Sequence, residues 1–167
     1  MSRLSELYET LENLLNLHKA LYTLAIEKKP VLIRGDADGL TKLTHQEKKL
    51  IKAIETTEAI RMEQVRQIMA EKGIAQREGT ITELIKSLTS AEEKQRLSHY
   101  RDELLRVVTA LREANDLNQQ LLEQSLSFVE MTLNLVTDSP EEDFVYKNPK
   151  MQMGNGQFAR SYINKKA

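Results

Sequence analysis

Leucines set the rhythm of the N-terminal segment. Leu4, Leu7, Leu11, Leu14, Leu17, Leu21 and Leu24 recur at steps of three and four, the spacing that gathers side chains on one face of an α-helix. Such a stripe predicts a first helix packed on a partner. Pro30 removes one backbone donor, so it predicts a kink or an end there, and Gly35 with Asp36 and Asp38 reads as a turn followed by a helix cap. Leu40, Leu43, Leu50, Ile54, Val65 and Ile68 then carry a second apolar face to about Lys72, where Gly73 offers a left-handed end. Thr80 with Glu83, and Ser90 with Glu93, stand at the reciprocal capping spacing. They predict a short helix over 80–88 and the start of a last helix at 90. That last helix runs to about Asp138, a length of roughly 70 Å at about 1.5 Å per residue.

On a helical wheel at about 100° per residue the last helix separates into two apolar stripes. The first extends along its whole length through Leu97, Tyr100, Leu104, Val108, Leu111, Leu122, Leu126, Val129, Leu133 and Val136. It is the expected seam against the first two helices. The second stripe is Leu117, Leu121, Phe128, Met131 and Leu135, and nearer the N-terminus the same face carries His99, Glu103, Arg106 and Glu113 instead. A helix that is apolar on two faces only in its C-terminal half needs a cover for the extra face. Three coverings fit: the first two helices, an amphipathic helix from another protein, or a second copy of this chain. In the second case Phe128 and Leu121 are the anchors and Met131 an adaptable contact. Asn115 and Asn118 interrupt the first stripe. A buried unpaired amide costs about 1–3 kcal/mol, so each needs a partner, either to fix helix register or to bond a bound peptide.

Gly and Pro are absent before Pro30, from Leu40 to Lys72 and from Thr80 to Ser139, which leaves room for three long helices and one short connector. Hydrophobic residues are 40%, charged residues 29% and aromatics only 5% of the 167 residues, a mixture that favours helices over strands. The fold class expected is therefore all-α: an elongated antiparallel helical bundle over 1–138 with a mobile C-terminal tail over 139–167. That tail carries Phe144, Tyr146, Phe158 and Tyr162, four of the eight aromatics. They either dock back on the bundle or meet a partner.

Charge narrows the function classes. The net charge is −1 with acids and bases interleaved, so no basic field exists for nucleic acid or anionic lipid. No segment approaches the ~20 apolar residues of a membrane span. The N-terminus, charged from Arg3 and Glu6 onward, lacks the apolar stretch of a signal peptide. Without cysteine there is no disulfide or thiolate site. A cytoplasmic location without membrane insertion is the expectation. The residues three before His18, His45 and His99 are Leu15, Lys42 and Arg96, so the Glu-x-x-His pairs of a di-metal bundle are missing. No zinc-protease spacing or phosphate-cradling loop is present. An enzyme, a cofactor and a bound metal are not expected. A histidine phosphotransfer bundle is the nearest rival, but Lys49 follows His45 and Glu103 follows His99 one turn on, where a small residue is needed. A coiled-coil adaptor of no particular specialisation is the remaining alternative.

The segment from Ala114 to Val136 resembles the signature helix of FlgN-family chaperones. Two asparagines three apart, Asn115 and Asn118, are followed by the Leu121–Leu122 step and an aliphatic ladder of Leu126, Val129 and Leu133. Upstream, Glu27-Lys28, Leu32, Gly35-Asp36, Leu40, Lys48, Lys49, Leu50, Glu58 and Arg61 follow the family's first hairpin. Pro30 departs from it, since many members continue the helix at that place. The tail, with Tyr146 before Pro149 and a Lys-Lys-Ala end, is similar to Gram-positive members. The resemblance implies a cytoplasmic type III flagellar export chaperone, not an enzyme. Its implied partners are the C-terminal helices of the hook-associated proteins FlgK and FlgL, kept from premature assembly and delivered to a flagellar export gate component. The cargo groove expected on the residues is Asn115, Leu117, Asn118, Leu121, Leu122, Phe128, Met131 and Leu135. Tyr146 is the resemblance's nearest match to a gate-contacting tyrosine.

Overall fold

Ser2 opens the first helix by accepting from the Ser5 backbone N–H with its side chain at 3.1 Å, and Gly35 closes it in the left-handed conformation at φ +66°. Gly35 and Asp36 donate back to the carbonyls of Leu32 and Val31, a pairing that needs a residue tolerant of positive φ. Helix α1 thus runs Arg3–Arg34 with Pro30 inside it. Of the two outcomes expected at Pro30, termination does not occur. The proline leaves the Ile26 carbonyl without its helical donor, while burial of Val31 and Leu32 and the Gly35 cap hold the last turn. Asp36 then caps α2, its carboxylate accepting from the Gly39 N–H at 2.9 Å. Helix α2 spans Ala37–Glu71 and ends beside Gly73 at φ +68°. Thr80 and Glu83 form the reciprocal cap of α3, Ile81–Ser87. Ser90 accepts from the Glu93 N–H at 3.3 Å at the head of α4, Ala91–Thr137.

This computed structural model describes residues 2–74 and 80–137. The described chain is all-helical and has four helices. Residues 139–167, with Phe144, Tyr146, Phe158 and Tyr162, lie outside the described residues. The chain divides into two units, Met1–Ser125 and Leu126–Ala167.

In the first unit α1 and α2 are antiparallel. Arg3 pairs with Glu71 and bonds Gln67, and Lys28 pairs with Glu47. Helix α4 runs parallel to α1: the Tyr8 and Tyr100 rings stack with centroids 6.1 Å apart, and the Asn118 amide reaches the Ala25 carbonyl. Doubled apolar positions on α1, Leu7 with Tyr8 and Leu14 with Leu15, are buried, giving it two packed faces. Its core concentrates at one end, where Leu7, Tyr8 and Leu11 of α1 meet Val65, Ile68 and Met69 of α2, Leu84 of α3 and Leu97 of α4. Leu7, Leu11, Val65, Leu84 and Leu97 are fully enclosed, each contributing about 1.5–3 kcal/mol by burial.

One expectation needs correction. The first stripe of α4 is a seam in the first unit, from buried Leu97 to half-buried Leu122. It is not one throughout: in the second unit Leu126, Val129, Leu133 and Val136 are all exposed. Periodicity reports which residues share a face and carries no information on how far the partner helix extends.

Candidate functional site

In the first unit α4 is fixed to α1 at two levels. At the core end Tyr8 meets both Tyr100 and Arg96, whose guanidinium sits 3.9 Å from the Tyr8 ring centre. Burial, reinforced by Glu93, pushes the Tyr8 phenol above its ordinary pKa. Burial with the neighbouring Glu12 carboxylate does the same for Tyr100. Both phenols therefore stay neutral, and the Tyr8 ring serves as the packing surface for the Arg96 cation. Further along, buried Asn118 donates from Nδ2 to the Ala25 carbonyl at 2.8 Å, one residue before the Ile26 carbonyl that Pro30 leaves without a donor. A single fixed acceptor for a buried amide sets the axial position of α4 on α1. Of the two asparagines, Asn118 holds this register role, while Asn115 is exposed.

Beside Asn118 the three long helices leave a groove of about 340 Å³. Leu32, Leu40, Ile51 and Leu122 line it, and Asn115 and Asn118 reach the same space. Lys28 and Glu47 also line it, paired at 2.5 Å with side chains only 17% and 14% exposed. Removing one partner leaves the other charged and poorly solvated. Lys28→Met is therefore expected to lower unfolding free energy by about 1–3 kcal/mol, and adding Glu47→Leu to recover most of that loss. Urea unfolding of both variants checks this.

The expected groove residues separate. Asn118 and Leu122 face α1 and α2, whereas Leu117 is 41% exposed and Leu121 half-buried, all within the first unit. In the second unit Phe128, Met131 and Leu135 are 65%, 54% and 77% exposed. With Leu126, Val129, Leu133 and Val136 they make seven exposed large apolar side chains on the helical segment 126–137. On the wheel these seven, with Thr132 among them, cover roughly two thirds of the circumference, leaving Ser127, Glu130, Asn134 and Thr137 as the polar arc. Glu130 is the segment's single charge. A solvated helix face of this composition is unfavourable unless something covers it. Helical, apolar over most of its surface and carrying one charge, it can take the apolar face of another helix.

The sequence did not point to the Lys28–Glu47 pair, because long-range charge pairing leaves no local spacing. The doubled apolar positions of α1 were a usable signal for two partner helices. The histidines show ordinary surroundings: His18 Nδ1 lies 2.7 Å from the Leu14 carbonyl, and His45 and His99 are exposed. Among the described residues no helix is long and apolar enough to cross a membrane.

Comparison with known proteins gives one family, described as FlgN protein, whose model matches residues 1–153. A relative from Bacillus subtilis (strain 168), described as "Uncharacterized protein YvyG", is 31% identical over 138 residues, covering 83% of this chain and 82% of that protein. No solved structure matches.

Proposed function

Because the chain belongs to the FlgN family, a family of flagellar export chaperones, we propose that it shields the C-terminal helices of the hook-associated proteins FlgK and FlgL by packing them on the apolar helical segment 126–137. The observation that carries this reading is the band of seven exposed large apolar side chains there, with one charge among them. A helix through which a hook-junction subunit assembles is itself amphipathic, and covering it removes the surface that drives premature association. Each 100 Å² of apolar area buried contributes roughly 2.5 kcal/mol before the costs of ordering are subtracted. Delivery to an export gate component in the cytoplasm is the task we assign to residues 139–167, with Tyr146 as the contact.

Isothermal titration with synthetic C-terminal helices of FlgK and FlgL tests the cargo assignment. The expected result is saturable binding with a negative heat-capacity change, retained by a chain ending at residue 138. Absence of heat and of any mobility shift with either peptide contradicts it. A concentration-dependent dimer that excludes peptide would instead give the surface to a second copy of this chain.

A further inference from the structure

Among the described residues, the final stretch of α4 shows no buried side chain of the kind that holds the helix in the first unit. Residues 126–137 read Leu-Ser-Phe-Val-Glu-Met-Thr-Leu-Asn-Leu-Val-Thr. Ser127, Phe128, Val129, Thr132, Asn134, Val136 and Thr137 belong to the weaker helix formers, several because branching or a ring restricts the side chain against the preceding turn. Ser125, Thr132 and Thr137 turn their hydroxyls back to the carbonyls of Leu121, Phe128 and Leu133 at 3.0, 2.9 and 2.8 Å, an arrangement that loosens and bends helices. No basic side chain stands in the last turn to meet the helix dipole, and no ion pair is formed within the segment among the described residues. None of its residues is buried. In proteins most helical stability comes from packing an apolar face.

From this combination we infer that the segment's helix is only partly populated in the free chain and is completed by cargo: Leu126–Thr137 folds as it binds. The inference rests on the cargo reading above and adds its regulation. Ordering the segment at the moment of capture lowers affinity for a given contact area, which keeps the grip reversible and lets the export step release cargo by letting the segment unwind. Weak helix formers and strong apolar contacts at the same positions serve that end together.

Amide hydrogen exchange on the full chain tests this, read with and without a synthetic FlgK C-terminal helix. In the free chain the amides of 128–137 are expected to exchange at least about 100-fold faster than those of 97–118, and to slow by at least about tenfold when peptide is added. Equal slow exchange in the free chain overturns the inference even where peptide binds. If peptide fails to bind, the cargo reading fails, while the free-chain comparison still decides whether the helix is partly populated. A second readout uses the polar arc alone. Ser127→Ala with Asn134→Lys raises helix propensity and sets a basic side chain one turn after Glu130, leaving every apolar contact in place. Peptide affinity is expected to rise by up to about tenfold through preorganisation, with helical circular dichroism of the free chain increased. Unchanged affinity together with unchanged circular dichroism contradicts coupled folding.

Discussion

Phe128→Asp is expected to weaken binding of a hook-associated C-terminal helix by about 100-fold while the chain melts within about 2 °C of wild type. The two halves of that expectation have separate causes. Phe128 is 65% exposed in the second unit, and substitutions of exposed residues stay within about 0.5 kcal/mol. When cargo covers the segment, an aspartate at this place is left dry and unpaired, and the aromatic anchor is gone; such centres carry about 2–4 kcal/mol of binding energy. Titration calorimetry beside thermal melts measures both. Loss of stability in step with loss of binding shows that Phe128 is core, and unchanged binding moves the cargo surface elsewhere.

Leu97→Ala gives the opposite pairing. Leu97 is fully enclosed where all four helices meet, and truncation there removes buried methyl groups and opens a cavity. A cost of about 3 kcal/mol follows, which lowers the melting temperature by about 6–12 °C. Peptide affinity measured well below the melt is expected to change less than about threefold, because position 97 lies in the core of the first unit and offers nothing to cargo. The two substitutions together separate what holds the first unit from what the second unit presents, although both residues stand on apolar stripes of one helix.

That last point also explains what the sequence could and could not convey. Helix limits were legible because they are chemical: the Asp36, Thr80 and Ser90 caps and the Gly35 and Gly73 left-handed ends are written in residue type. The α1 stripe from Leu4 to Leu24 was legible because leucine spacing alone defines it. Pro30 misleads in one respect, since proline disfavours a helix locally while burial of Val31 and Leu32 decides the outcome from outside the segment. The seam of α4 was overextended from Leu122 to Val136 for a related reason. Apolar periodicity is the same for a face that meets its own chain and for one that meets another, so spacing alone does not say which of the two a stretch of the stripe is. The Asn118 bond to Ala25 was foreseeable as a need for a partner, but its acceptor was not. The Lys28–Glu47 pair joins two helices and has no signature in local spacing.

The most direct test places the bound peptide. With methyl-labelled full chain and unlabelled FlgK C-terminal peptide, intermolecular nuclear Overhauser effects are expected from the peptide's apolar side chains to the methyls of Met131, Leu133 and Leu135. Effects confined to Leu32, Leu40 or Ile51 around the Lys28–Glu47 groove, with none to Met131 or Leu135, would contradict the assignment of 126–137 as the cargo surface.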